Sequence, residues 1–255
     1  NWEEACAAAR TLTQRKVPLS MMRVSNAKET WTQLQLAGHP TAIGLLEKYL
    51  ALRGANAEKC MFTFGITGSK AYCKAALDLA KPVIREFGGV HTGTLLGKKW
   101  EENRFRSPYL RHGLWENGYA VDTLETAVDW NKTTTTMNAI EASLRDGLKN
   151  KGEKVHVFTH LSHMYAQGSS IYTTYVFRCG SSYDETYERW KTLKAAASEQ
   201  IVKHGGTISH QHGVGTDHAP YLPAEKGALG ITAIQTLCTT FDPQGIMNPG
   251  KLLQD

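Results

Sequence analysis

The chain has 255 residues, 41% of them hydrophobic and 21% charged, with a formal net charge of +5. It is long enough to bury a sizeable core as one large or two small domains, and its composition is that of an ordinary globular protein. A membrane-spanning class is excluded, because no apolar run approaches the ~18 residues a span requires. The modest positive charge suits an anionic substrate or a surface partner but identifies neither.

The chain opens Asn1-Trp2-Glu3-Glu4, without an initiator methionine or a signal-like segment, and reads as a piece excised from a longer protein. Cys6, Cys60, Cys73, Cys179 and Cys238 are odd in number and widely spaced, with no Cys-x-x-Cys pair. They read as reduced cytoplasmic thiols, not as a disulfide framework or a zinc site.

In chain order, Glu3 to Arg15 reads as a helix and Val17 to Val24 as a strand entered at Pro18, with Arg23 sharing a face with Met21 and Ser25. Helices are expected from Ala27 to Leu36 and from Thr41 to Arg53, then a strand from Lys59 to Phe64. Cys73, Ala76, Leu77, Ala80, Ile84 and Phe87 form the core-facing stripe of a long helix stopped by Gly88-Gly89. A strand from Val90 to Leu96 would complete a β-α-β unit, whose helix no glycine fingerprint opens. Between Trp100 and Trp115 aromatic and basic residues crowd an expected loop. Glu101, Glu102 and Glu116 are mixed among them and argue against nucleic acid.

Gly118 to Ala127 reads as a strand and Trp130 to Leu148 as a helix. Asp122 and Glu125 are an odd number of positions apart, face opposite ways in a strand and read as structural, not as an acid/base pair. Lys154 to Leu161 and Ser170 to Arg178 form a hairpin around Tyr165-Ala166-Gln167-Gly168. In its second strand Ile171, Tyr175 and Phe177 make a core face, while Tyr172, Thr174 and Arg178 make a polar pocket wall. His156 and His160 share a face and invite a metal site with His210, His212 and His218. No cysteine or carboxylate stands at a recognised ligand spacing, so no metal is assigned, and a histidine-rich metal-binding domain is only a remote alternative.

Trp190, Leu193, Ala197 and Ile201 mark an amphipathic helix capped by Gly205-Gly206. Thr207 onward reads as a short strand placing His210 and His212 on one face, before Gly213 and Gly215 let another group approach the backbone. Such imidazoles suit proton exchange, metal ligation or hydrogen bonds to a polar cofactor. Pro223 to Leu237 reads as the last helix, followed by a turn at Phe241 to Gly245 and the ending Met247-Asn248-Pro249-Gly250-Lys251-Leu252.

The Gly205 to Gly215 string, with Ser209-His210-Gln211-His212-Gly213-Val214-Gly215, resembles the signature of the C-terminal cap domain of FAD-linked oxidases. The likeness is to the alkyldihydroxyacetonephosphate synthase branch and its bacterial relatives. Leu19 to Ser25, Pro108 to Arg111, Val121 to Ala127 and the terminal Asn248-Pro249-Gly250-Lys251 element are similar to segments of the same family.

The resemblance implies one α+β domain over 1–255, a mostly antiparallel sheet with helices on one face in the manner of the ferredoxin-like cap. It implies FAD, held mainly by an N-terminal domain outside this chain, with Arg23, His212 and Asn248 facing the cofactor. Tyr172, His210 and His212 are then catalytic, and Arg111 grips a small acidic substrate, phosphate-bearing or lipid-linked. The implied reaction exchanges acyl for alkyl on dihydroxyacetone phosphate through a flavin adduct, and the rival is oxidation of a 2-hydroxy acid. Gln211 stands where the synthases have a middle histidine, and Thr216-Asp217-His218 where a basic residue is common, which keeps the rival open. A cytoplasmic or membrane-peripheral location and a homo-oligomer are compatible with this.

Overall fold

The structure is a computed structural model describing residues 1–253, apart from the side chain of Ser107. Five antiparallel strands form one sheet in the order β2-β1-β4-β5-β3. They are β1 (Met21–Ser25), β2 (Met61–Gly65), β3 (Tyr119–Asp129), β4 (Val155–Leu161) and β5 (Gly168–Arg178). The nine described α-helices are α1 (Trp2–Gln14), α2 (Ala27–Leu36), α3 (Pro40–Leu52), α4 (Lys70–Glu86), α5 (Leu95–Asn103), α6 (Leu110–Glu116), α7 (Thr133–Asp146), α8 (Tyr183–His204) and α9 (Leu222–Phe241). This is the α+β fold expected.

The period-2 alternation of the strands decides which face is covered. Leu124, Val155, Val157, Tyr175 and Phe177 point to one side, where they meet Ile140 and Leu144 of α7 and Leu193, Ala197 and Ile201 of α8. Farther along the same face, Val24, Val128, Leu161 and Ile171 pack with Cys6 and Ala9 of α1 and Met137 of α7. Phe62 and Phe64 of β2 close onto Leu12 of α1 and Ala80 and Val83 of α4. The opposite face is covered toward β1 and β2, where the Thr32 hydroxyl of α2 lies 3.0 Å from His156 and Gly97 of α5 approaches Thr63, and again at Glu125, where the loop after α8 brings His210 and His212. Over β4, β5 and β3 it is left half-exposed, at Phe158, Tyr172, Thr174, Val176, Thr123 and Val121.

Local signals fix the helix ends. Asn26, Ser69 and Ser182 accept hydrogen bonds from the backbone N–H three residues on, capping α2, α4 and α8. Gly205 ends α8 in the left-handed conformation, φ 67°. Gly206 then runs so close to β3 that a Cβ there would meet Thr126 Oγ1 at 2.5 Å. That approach lets Thr126 Oγ1 donate to the Thr207 carbonyl at 2.7 Å.

Three expectations are corrected. Val90 to Leu96 is not a strand: Gly93 takes φ 82°, residues 91–95 are exposed, and α5 begins at Leu95, so there is no β-α-β unit. The stretch from Trp100 to Trp115 is not a loop but α5, a 3-10 turn at Ser107–Tyr109 and α6. The run after Gly206 is not a strand either. Thr207 N–H donates to the Ala127 carbonyl and His210 N–H to the Glu125 carbonyl, so three residues advance along the loop for two on β3 and no ladder forms. All five cysteines are free, as expected. No helix of the described residues is long and apolar enough to cross a membrane.

Gly206→Ala is expected to destabilise the protein by about 1–3 kcal/mol, because the neighbour in the way is a core strand side chain. Gly44→Ala, within α3 and with open space around it, is expected to stabilise by up to about 1 kcal/mol. Urea denaturation of both variants checks the pair, and equal midpoints would contradict the close approach at Gly206.

Candidate active site

One cross-strand row organises the open face. Ser25 of β1 lies opposite His160 of β4, His160 opposite Tyr172 of β5, and Tyr172 opposite Glu125 of β3. Directly opposed residues project to the same side with Cβ atoms about 5 Å apart, so the register alone makes these side chains neighbours. The Tyr172 ring stacks on His160 at 4.7 Å between centroids and meets the edge of His212 at 5.3 Å.

On the His160 side the row ends in a buried ion pair. Arg23 Nη2 bonds to Glu29 Oε1 of α2 and lies 3.0 Å from His160 Nδ1. The same His160 nitrogen lies 3.2 Å from Glu29 Oε1, so it can accept from Arg23 or donate to Glu29, but not both. Burial lowers the pKa of His160, Glu29 acting against it, which agrees with a neutral ring. Burial alone would raise the Glu29 carboxyl, but the His160 and Arg23 contacts outweigh it and hold it at about 2. Arg23 Nε and Glu29 Oε2 remain buried without partners.

On the other side stands Glu125, whose side chain is 2% exposed. His163 Nδ1 lies 3.1 Å from its Oε1, His210 Nδ1 3.2 Å from the same oxygen, and His212 Nε2 3.4 Å from Oε2. The Ser162 hydroxyl donates to Oε1 at 3.3 Å. Burial pushes the Glu125 carboxyl up; hydrogen bonds from Ser170 and His163 and the nearby imidazoles overcome this and bring it below its ordinary value. It is an ionised carboxylate at neutral pH.

The structure therefore brings Tyr172, His210 and His212 together, and Arg23 reaches the same row through His160. It does not bring Arg111 or Asn248 to it. Arg111 is exposed on α6, and Asn248 is exposed in the terminal turn with φ 52°. His156 is held by Thr32 and Trp31 under α2, and His218 is buried with Nδ1 unpartnered, so neither joins His210.

Asp122 is structural, as expected, accepting from Tyr175 Oη, Trp190 Nε1 and Lys194 Nζ on the helix face. Glu125 is not merely structural: it is the centre of the histidine cluster. Its odd separation from Asp122 was the available signal, since it puts Glu125 on the polar face with Tyr172.

A half-open sheet face, one row of aromatic and imidazole groups, and buried carboxylates on both sides make this face the candidate ligand-facing side of the domain. The chain belongs to the family of FAD linked oxidases, C-terminal domain, whose model matches residues 1–252. It is 28% identical over 264 residues to an alkyldihydroxyacetonephosphate synthase of Trypanosoma brucei brucei, covering 99% of this chain and 42% of that protein. A shorter match, 43% identical over 65 residues, is to a glycolate oxidase subunit of Bacillus subtilis, covering 26% of this chain and 14% of that subunit. Among solved structures, an alkyldihydroxyacetonephosphate synthase superposes with a TM-score of 0.71 at 21% identity, over 98% of this chain and 43% of the other. The chain thus spans less than half the length of the synthases it matches.

Glu29 gives this site an acid dependence. Its folded carboxyl is held below its ordinary value, so the stability it contributes is fully present above about 4.5 and is lost as pH falls toward about 2. The loss expected over that window is on the order of 3 kcal/mol. Glu29→Gln should start less stable at neutral pH and lose less on acidification. Denaturant unfolding across that range checks this, and parallel pH profiles for the two proteins would refute it.

Proposed function

We propose that this chain is the substrate-side part of an FAD-dependent enzyme of the alkyldihydroxyacetonephosphate synthase type, replacing the acyl group of an acylated dihydroxyacetone phosphate with a fatty alcohol. The observation that carries this reading is Tyr172, set between His160 and His212 on the open sheet face. The nearly full-length likeness to the synthases supports the choice of reaction.

The residues present suit a flavin. The open face offers a half-exposed wall of Tyr172, Thr174, Val176 and Val121 for a flat ring. We assign His212 and, from the terminal turn, Asn248 to the cofactor, with Arg23 acting from behind His160 to fix the wall that the cofactor meets. FAD, when bound, supplies the redox-active ring that makes the substrate carbon reactive.

Tyr172 would act as the base: with its own phenolic proton passed to His212, the phenolate oxygen takes the proton from that carbon. His160, stacked on the phenol ring, fixes its plane, His212 meets the ring in a T-shaped contact, and His210 is held at Glu125, the residue opposite Tyr172 in the sheet. Arg111 takes the acidic group of the substrate: its planar fork of donors matches phosphate or carboxylate, and its side chain is exposed. The rest of the protein, including the FAD-binding part, is assigned to the apolar surface of α9, where Leu229, Leu237 and Phe241 are 83%, 57% and 83% exposed. The chain alone is then catalytically silent.

Oxidation of a 2-hydroxy acid is the second reading, favoured by the match to a glycolate oxidase subunit. Anaerobic titration of the full-length protein separates the two: loss of flavin absorbance with a hydroxy acid, but no turnover of acyl dihydroxyacetone phosphate, selects the second. In the full-length enzyme Tyr172→Phe should lower turnover by about 10²- to 10⁴-fold with flavin content unchanged. Equal turnover in that variant would remove the phenol from the reaction.

A further inference from the structure

Glu125 presents its carboxylate oxygens to different imidazoles of the loop after α8, His210 Nδ1 at 3.2 Å from Oε1 and His212 Nε2 at 3.4 Å from Oε2. Each of these rings also meets a tyrosine. His212 meets Tyr172 at 5.3 Å between centroids, and His210 Nε2 lies 3.0 Å from the Tyr165 hydroxyl. Tyr172 serves the substrate carbon, which leaves the second phenol without a task.

The surroundings of His210 decide where its ring proton sits. Nδ1 is buried and faces Glu125 Oε1, although the two are not well aligned for a hydrogen bond. A bare lone pair against an ionised carboxylate would be repulsive, so the proton belongs on Nδ1. Nε2 is then the acceptor, and the Tyr165 hydroxyl donates to it. Glu125, His163 and Tyr165 are the titratable groups packed against this ring.

The β4–β5 turn holds Tyr165 in place. Its N–H donates to the Gly168 carbonyl at 2.8 Å, and its carbonyl accepts from Trp130 Nε1 at 2.9 Å. Tyr165 is 46% exposed, so the phenol contributes little to the core and is open to a ligand.

The geometry points to Tyr165, backed by His210 and Glu125, as a second proton-transfer group that takes the hydroxyl proton of the incoming alcohol. Phenol, imidazole and carboxylate stand in the order of reacting hydroxyl, base and orienting group. The acyl group departs as a carboxylate with the electron pair of its bond to the substrate carbon. The alcohol oxygen then bonds to that carbon as its O–H breaks, and the proton passes to Tyr165 Oη. The proton that Tyr165 held moves to His210 Nε2, where the Glu125 carboxylate balances the imidazolium until it releases a proton to water. One carboxylate backs both imidazoles, so the carbon proton at Tyr172 and the hydroxyl proton at Tyr165 move in turn and not together. The inference rests on the synthase reading for the alcohol; a 2-hydroxy acid would bring a hydroxyl proton to the same group.

The test uses the full-length protein with isotope-labelled histidine and its Tyr165→Phe variant, which loses one exposed hydroxyl. NMR titration of His210, assigned with His210→Gln, reads the direction of the hydrogen bond. Losing a donor to Nε2 destabilises the neutral ring, so His210 should titrate at higher pH in Tyr165→Phe than in the parent. Turnover with a fatty alcohol should fall about 10²- to 10⁴-fold, and less with an alcohol fluorinated beside its hydroxyl, whose proton leaves more readily. If the parent turns over only a 2-hydroxy acid, the synthase reading fails alone, and the same variant should lose turnover of that substrate. A His210 titration that is unchanged or shifted down, or equal turnover by parent and variant, overturns the relay.

Discussion

The open face of this protein is arranged around a buried negative charge. Glu125 sits in the middle of β3 with its side chain withdrawn from water, a placement that is costly for a carboxylate without compensating partners. Those partners come from outside the strand: Ser162 and His163 from the β4–β5 turn, and His210 and His212 from the loop after α8. The loop reaches Glu125 because Gly206 lies against Thr126 and because the Glu125 carbonyl itself accepts from His210 N–H. Backbone and side chain of one residue thus hold the same loop, and the histidines have little freedom to point elsewhere.

The turn at Gln211 completes this arrangement. Its φ of 61° is unusual for a residue with a long side chain and costs of order 1 kcal/mol. An extended residue there would have continued the chain along β3. The left-handed step instead brings His212 back over the sheet, so that His210 faces one carboxylate oxygen and His212 the other. Neither contact uses the Gln211 side chain, so the turn depends on the backbone conformation there and not on the amide.

Much of this was legible in the sequence where the signal was local. Alternation along Ile171 to Arg178 separated the core face from the face carrying Tyr172, and the buried positions of β5 follow it. The end of α8 followed from the glycine cap at Gly205. What could not be read was which distant groups meet. Glu125 and His163 are 38 positions apart and become neighbours only through the strand order β4-β5-β3. Val90 to Leu96 had strand-like composition but no partner strand, and strand propensity expresses itself only where a partner is offered. Arg111 was placed by likeness to a segment, which fixes a residue's type and not its distance from Tyr172.

The two sides of Tyr172 differ in a way that bears on how a reactant approaches it. His160 is 6% exposed, and its Nδ1 is already committed to Arg23 and the Glu29 pair, so that side is closed by packing and by charge. His212 is 31% exposed and meets the phenol in a T-shaped contact, so that side is the more open of the two. A ligand that reaches the phenol must therefore come from the His212 side, past the histidine cluster, and cannot enter between β1 and β4, where α2 covers the row. The same asymmetry gives the buried carboxylates different tasks. Glu29 neutralises Arg23 and locks one flank of the tyrosine, while Glu125 holds the groups that an incoming molecule meets first.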